Sequence, residues 1–316
     1  MKIKHSVFLV KKAVDPNERD NPVLIKESLK RFPTYAFEPK DLFLDNGVPK
    51  AKVKKVIIDK DGRIAEGGTK LLDLNDGCLV SIKLDPPFNT AYITALHMLA
   101  KVGKNSHVIN NPIGIINMPE KIISDELKEF LPPTLITSDE EEIMKFWKKH
   151  SDIVLKPLYE YGGKGVFRLK KGEENYKSIL TALMDKYKEP IIAQKYIPEV
   201  KKGDKRIVLI EGEVFGQLLR VPAKGQLQAS VSQGGSMHDV GLTAREKQIC
   251  KKLKPILKKN DIFLCGIDVI GNYLTEVNVT APAIAFLLNN ANKGKKNYIP
   301  AEKRYWDMLE KRVRAL

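Results

Sequence analysis

The chain has 316 residues, with 54 lysines and arginines against 39 aspartates and glutamates, a formal net charge of +15. Its 43% hydrophobic and 29% charged residues are the proportions of a soluble globular protein long enough for two or three subdomains. No apolar run approaches the ~18 residues of a membrane span. The three cysteines, Cys78, Cys250 and Cys265, are too few and too far apart for a disulfide framework or a zinc knuckle.

In chain order, residues 6–11 read as a strand, too short for the apolar core of a signal peptide. A helix is expected over residues 22–31 and a strand over 34–37. Two further strands, 42–44 and 52–58, meet around Asp45-Asn46-Gly47, a strong turn signal. Residues 78–82 form an apolar strand that enters the rigid loop Asp85-Pro86-Pro87-Phe88. A helix over 90–102 and a short strand over 107–110 follow. Strands alternating with helices imply a partly parallel sheet with helices on its faces, and a first domain is expected to end at residue 118.

The second half reads differently. Ser138-Asp139-Glu140-Glu141 is expected to act as a capping box for a helix over 141–150. A strand over 152–156 ends in Lys156. Tyr161-Gly162-Gly163-Lys164-Gly165 is a glycine-rich turn between strands, followed by a strand over 191–194. Strands over 206–210 and 214–220 form a hairpin about Glu211-Gly212. Residues 223–240 form a long Gly-, Gln- and Ser-rich loop without periodicity, the kind of segment that often serves as a lid. Thr243-Ala244-Arg245-Glu246 is a second capping box, opening a helix that Pro255 is expected to kink. The last helix covers 301–312.

The hairpin Gly266–Pro282 places acidic and amide oxygens among apolar residues. Strand alternation puts Glu276 and Asn278 on one face. An odd-length turn, such as three residues with a bulge, would place Asp268 opposite Glu276 on that face. Oxygen-only donors at this spacing suit a hard cation, Mg²⁺. The same pattern is also that of a half-buried hairpin with solvated acids on its outer face. The turn Tyr161–Gly165 can bring backbone N–H groups close to an anion. It is neither a P-loop nor a dinucleotide fingerprint, and it is equally the pattern of a plain hairpin. The charge balance favours anionic partners such as nucleotides and phosphorylated intermediates. The excess is scattered lysine without interleaved aromatics (7% of the chain), which argues against a nucleic-acid surface.

The order of these pieces resembles the ATP-grasp superfamily, and more narrowly the bacterial glutathione synthetases. The resemblance covers nearly the whole chain. Its most specific stretches are Asp85-Pro86-Pro87-Phe88, the run from Trp147 to Leu158, Gly203-Asp204-Lys205-Arg206, and the hairpin Gly266–Pro282. It implies an α/β fold, an ATP-grasp domain over residues 119–316 behind a pre-ATP-grasp α/β domain over 1–118, with ATP between two antiparallel sheets. Lys121 and Lys156 would hold the α- and β-phosphates, and the Gly162-Gly163 turn would close over them. Main-chain groups of Gln194, Tyr196 and Ile197 would read the adenine, with Asp204 near the ribose. Asp268, Glu276 and Asn278 would carry Mg²⁺, and Arg206 and Arg220 would face the transferred phosphoryl and the acyl phosphate. The loop over 223–240 would shield that acyl phosphate from water. Lys83, Asp85, Thr280 and Ala281 would line the substrate site.

The implied reaction joins γ-glutamylcysteine to glycine through an acyl phosphate, in a cytoplasmic homo-oligomer with no membrane partner. Phosphoryl transfer needs positioning and charge neutralisation more than a covalent nucleophile. The chain departs from the family where it aligns Lys83, Gln228, Ser236 and Phe286 with arginines, and where Thr280-Ala281-Pro282 replaces Thr-Ser-Pro. A ligase with another amine acceptor (an amino acid, a polyamine or a protein tail) therefore stays open, as does a basic nucleotide- or nucleic-acid-binding protein without activity.

Overall fold

The structure is a computed structural model that describes residues 2–12, 14–15, 18–223 and 234–315. β1 (His5–Leu9) leads to α1 (Asn21–Leu29), with Pro22 in its first turn, and the chain returns as β2 (Thr34–Phe37), parallel to β1. β3 (Leu42–Asp45) and β4 (Val48–Ile58) form the expected hairpin, with Asn46 and Gly47 both at positive φ (49° and 81°). That backbone twist suits a tight two-residue hairpin turn. β5 (Ile64–Asp73) pairs with the other edge of β4. Sequence reading missed it, because most of its side chains are exposed and Gly67-Gly68 interrupts it where the register shifts.

β6 (Cys78–Ile82) is buried along its whole length and lies parallel to β1. α2 (Thr90–Leu99) is capped by the Asn89 side chain, which accepts from the Tyr92 N–H. β7 (His107–Ile109) and α3 (Pro112–Asn117) complete this part. The sheet order is β3-β4-β2-β1-β6-β7, with β5 on β4. Its parallel half, β2-β1-β6-β7, is the part the strand–helix alternation foretold.

A four-stranded antiparallel sheet follows, built from β8 (Thr134–Thr137), β9 (Asp152–Pro157), β10 (Phe167–Lys170) and β11 (Ile191–Lys195) in the order β10-β9-β11-β8. α4 (Glu140–His150) and α5 (Tyr176–Tyr187) pack on it. The cap of α4 is Asp139, whose carboxylate accepts from the N–H groups of Glu141 and Glu142. The capping box expected from Ser138 is not formed, since the helix starts one residue too late for it. This sheet has its own core, with Trp147, Ile153, Leu155, Leu169, Leu180 and Leu183 in one cluster.

The third sheet is antiparallel throughout, in the order β14-β13-β12-β15-β16. Its strands are β12 (Asp204–Ile210), β13 (Glu213–Val221), β14 (Ser236–His238), β15 (Leu264–Ile270) and β16 (Tyr273–Asn278). α6 (Ala244–Lys259) opens on the Thr243/Glu246 capping box, as expected, and runs through Pro255 as one helix. α7 (Ala285–Ala291) and α8 (Ala301–Ala315) end the chain. Of the loop expected over 223–240, residues 224–233, Gln228 among them, lie outside the described residues. Residues 236–238 are not loop but the edge strand β14.

Two core clusters each join the first sheet to the third. One contains Val7, Leu9 and Val80 with Ile207, Leu253 and Ile267. The other contains Phe8, Val10 and Leu24 with Val208, Tyr305 and Trp306. Trp306 is fully buried and its indole N–H donates to Leu24 O, which ties α8 back to α1. The first and third sheets thus share apolar cores and the second packs by itself. That arrangement leaves a polar seam between the second and third sheets.

Candidate active site between two antiparallel sheets

The seam is bridged by residues 120 and 121. The Glu120 carbonyl accepts from the Val277 N–H, and its carboxylate accepts from the Thr280 hydroxyl, both on the third sheet's side. The next residue turns the other way: the Lys121 ammonium donates to Leu158 O and Glu160 O at the end of β9. Glu120 was not picked out from sequence, because a single acid in Met118-Pro119-Glu120-Lys121 carries no periodic or spacing signal. Burial pushes its carboxyl pKa up and the neighbouring Glu276 adds to that, against the Thr280 hydrogen bond.

Lys156, near the end of β9, is 8% exposed, and its ammonium has no hydrogen bond or ion pair within 4 Å among the described residues. Burial pushes its pKa down, the charges of Glu276 and Asp268 oppose that, and Lys121 adds to the lowering. A buried cation left without such a partner is costly, so this site is complementary to an anion. The turn after β9 holds Gly162, Gly163 and Gly165 at positive φ (62°, 71° and 71°). At Gly162 an added Cβ would meet open space, so it is backbone conformation that calls for glycine there.

Facing Lys156, the third sheet carries a network of charges. The Arg206 guanidinium donates to both oxygens of Asp268 (2.6 and 2.8 Å). Arg220 donates to both oxygens of Asp204 (2.7 and 2.8 Å) and also to Asp268 (2.8 Å). The register makes these contacts: Asp204 lies opposite Arg220, and Arg206 opposite Asp268. Burial would raise the Asp268 carboxyl, but Arg206 and Arg220 hold it well below the usual carboxylate range. Asp204 goes the other way, pushed up by burial despite Arg220.

Asp268 does stand opposite Glu276. The turn that achieves this is shorter than expected. Ile270 pairs with Tyr273 across Gly271-Asn272, and the odd residue is Thr275, a bulge within β16 whose hydroxyl donates to Asp268 O (3.0 Å). Glu276 and Asn278 share a half-buried face. The Asn278 amide N–H donates to Asp268 Oδ2 (3.2 Å), and its side-chain carbonyl oxygen accepts no hydrogen bond among the described residues. The Glu276 carboxylate has no hydrogen bond or ion pair among the described residues. These oxygens fit a hard cation that takes one or two carboxylates and fills its other positions with water and phosphate. Asp268 is the donor already engaged, by two guanidiniums and an amide.

The segment leaving β11 lies four residues along the strand from the partner of Lys156, about 13 Å at strand rise. Gln194 is paired on both sides, to Thr134 and Val154, and the Tyr196 N–H donates to Asp152 O (3.0 Å). The Ile197 N–H has no partner among the described residues.

At the remaining expected positions the outcome is mixed. Lys83 is 3% exposed; its ammonium donates to Pro282 O (3.4 Å) and lies 4.0 Å from Asp20, with burial pushing its pKa down. It is enclosed rather than presented. Asp20 in turn accepts from the N–H groups of Ile284 and Phe286. Asp85 has no hydrogen bond among the described residues, and burial pushes it up to about 6. Phe286, aligned with a family arginine, lies under a guanidinium supplied by Arg19, 5.3 Å from the ring centre. Ser236 is exposed and shares a hydrogen bond with His238.

Comparison with known proteins bears on this geometry. Residues 19–115 match the N-terminal domain of prokaryotic glutathione synthetase, and residues 120–293 match its ATP-grasp domain. The chain belongs to the prokaryotic glutathione synthetase family. The glutathione synthetase of Brucella melitensis is 40% identical over 250 residues, 78% of this chain and 80% of that one. That of Buchnera aphidicola is 37% identical over 264 residues, 82% of each.

Among solved structures, D-cycloserine synthetase DcsG aligns over 98% of this chain and 99% of its own at a TM-score of 0.70, with 12% identity. A RimK domain ATP-grasp protein from Sphaerobacter thermophilus aligns over 89% of this chain and 93% of its own, at 0.60 and 14% identity. At such identities the likeness concerns the fold, the α/β ATP-grasp architecture expected from sequence. Membership of this glutathione synthetase family implies use of ATP and small-molecule substrates. No helix among the described residues is long and apolar enough to cross a membrane.

Proposed function

We propose that the chain is a glutathione synthetase, an ATP-dependent ligase that activates the carboxylate of γ-glutamylcysteine as an acyl phosphate and transfers it to glycine. The observation that carries this reading is Lys156, a buried ammonium without a hydrogen-bond partner among the described residues, facing the open carboxylate of Glu276 across the seam. The proposed division is a pre-ATP-grasp domain over 1–118 and an ATP-grasp domain over 119–316, in a cytoplasmic homo-oligomer.

Lys121 and Lys156 bind the α- and β-phosphates as point charges, and the Gly162-Gly163 turn covers them. Ile197 offers its N–H to the adenine edge, and Asp204 lies near the ribose. The Tyr196 carbonyl supplies the other main-chain contact; the Tyr196 N–H and the main chain of Gln194 are already used in the sheet. Asp268, Glu276 and Asn278 would hold Mg²⁺, which supplies neutralisation of phosphate charge when bound.

Arg206 and Arg220 face the transferring phosphoryl group. Both guanidiniums are held in place by Asp268 and Asp204, so a phosphate meets donors whose positions are already fixed. Preorganised donors of this kind cost little reorganisation during reaction. The substrate carboxylate attacks the γ-phosphate with loss of ADP. The amine then attacks the acyl phosphate, and phosphate leaves as the amide forms. Thr280, Ala281, Asp85 and Lys83 border the acceptor side.

A second reading, the same chemistry with another amine, is favoured by one observation. Lys83 is enclosed against Pro282 O and Asp20, so it offers no free charge to a glycine carboxylate. The test is ADP release with γ-glutamylcysteine against a panel of amines, with and without a chelator, and mass spectrometry of the product. Glutathione formation dependent on glycine and a divalent ion supports the first reading. Product only with a different amine selects the second. No ADP with any amine overturns both.

A further inference from the structure

Three residues form a closed loop of contacts beside the free Ile197 N–H. The Asp152 carbonyl accepts from the Tyr196 N–H (3.0 Å). The Asp152 carboxylate accepts two hydrogen bonds from Arg168 (2.9 and 2.6 Å). The Arg168 guanidinium lies 3.4 Å from the centre of the Tyr196 ring. Asp152 therefore grips Tyr196 twice, once through the main chain and once through an arginine stacked on its ring.

The location makes this more than packing. β11 ends at Lys195, and just beyond it the Tyr196 N–H to Asp152 O hydrogen bond still ties the main chain to β9. The residue after Tyr196 carries the unpaired N–H. Guanidinium stacking on an aromatic face combined with a bidentate carboxylate contact is a planar, directional arrangement that lysine cannot reproduce. Tyr196 is 6% exposed and Arg168 is mostly covered, so the stack is shielded from competing water.

We infer that Arg168 is a positioning residue for nucleobase selection: with Asp152 it fixes Tyr196 so that the Ile197 N–H points at an acceptor on the purine edge. Adenine presents a ring-nitrogen acceptor at N1; guanine presents an N–H there, which would oppose the Ile197 donor. An unpaired donor facing a donor is the polar mismatch that discriminates strongly. The role rests on the adenine assignment to residues 194–197.

The experiment measures kcat/KM with ATP, GTP and 1-deaza-ATP for the wild-type chain, Arg168→Lys and Arg168→Met. For the wild type, ATP is preferred over both analogues by about tenfold or more, the scale of one hydrogen bond whose loss strands a buried donor. In both Arg168 variants the ATP-to-GTP ratio falls by about tenfold, through KM for ATP, with kcat at saturating ATP within about twofold of wild type. A general structural defect would lower kcat for all nucleotides together and keep the ratio, which would overturn the inference. If the wild type itself does not distinguish ATP from 1-deaza-ATP, the adenine assignment fails. If it does and the Arg168 variants keep full selectivity, the positioning role alone fails.

Discussion

Replacing Asp85 by asparagine should stabilise the protein at neutral pH while harming its activity. The carboxyl has an ordinary value of 3.8 and stands at about 6 in the fold, raised by burial first and by Glu18 second, with Lys83 and Lys11 opposing. That difference makes ionisation about 3 kcal/mol less favourable in the folded state, and solvent reaching the partly exposed side chain reduces it to roughly 2 kcal/mol. Because the folded value is the higher one, the penalty is absent well below pH 3.8 and still small, about 0.5 kcal/mol, at pH 4. It grows as pH rises and is complete above about pH 6. Asparagine never ionises and is nearly isosteric with the protonated acid.

Urea unfolding of the wild type and Asp85→Asn should therefore differ by no more than about 0.5 kcal/mol at pH 4. At pH 7.5 they should differ by roughly 2 kcal/mol in favour of the variant. If Asp85 borders the substrate site, the variant should also lose kcat/KM at pH 7.5. A stability difference that is equal at the two pH values, or of opposite sign, would refute the argument, because it would mean that the carboxylate meets no penalty in the fold.

Other outcomes follow from the same geometry. Lys156→Met should reduce ADP formation by about a hundredfold or more, the scale of losing a group that stabilises transition-state charge. Its thermal midpoint without ligand should not fall, since a buried unpaired ammonium is removed; unchanged turnover would sink the phosphate assignment. Glu276→Gln should likewise abolish ADP formation with the fold intact by circular dichroism, and activity surviving at wild-type metal dependence would count against the ligand set. Cys78, Cys250 and Cys265 are all buried, and burial pushes the Cys78 and Cys250 thiols up to about 12 and about 11. An aromatic disulfide reagent should therefore titrate almost none of them at pH 8 and all three in denaturant.

Turns and strands were legible because their signals are local. Asn46-Gly47, the Thr243/Glu246 capping box and the apolar run Cys78–Ile82 each fix their own backbone whatever surrounds them. The oxygen-bearing hairpin was legible for the same reason. Alternation places Glu276 and Asn278 on one face, and only the odd residue needed to bring in Asp268 was misplaced, in the turn rather than at Thr275.

Strand β5 was invisible because an exposed edge needs no apolar alternation. What the sequence by itself determined was the family, the plan of two antiparallel sheets and the charged and oxygen-bearing residue types along the seam. Tertiary structure alone decided how those charges are shared. Arg206 and Arg220 converge on Asp268 because three strands align in register, Glu120 joins the site because a linker crosses the seam, and Lys83 is lost to Asp20, 63 positions earlier in the chain. Coulomb energy depends on distance and burial rather than on order along the chain, so the fold has to be in place before a charge acquires its partner.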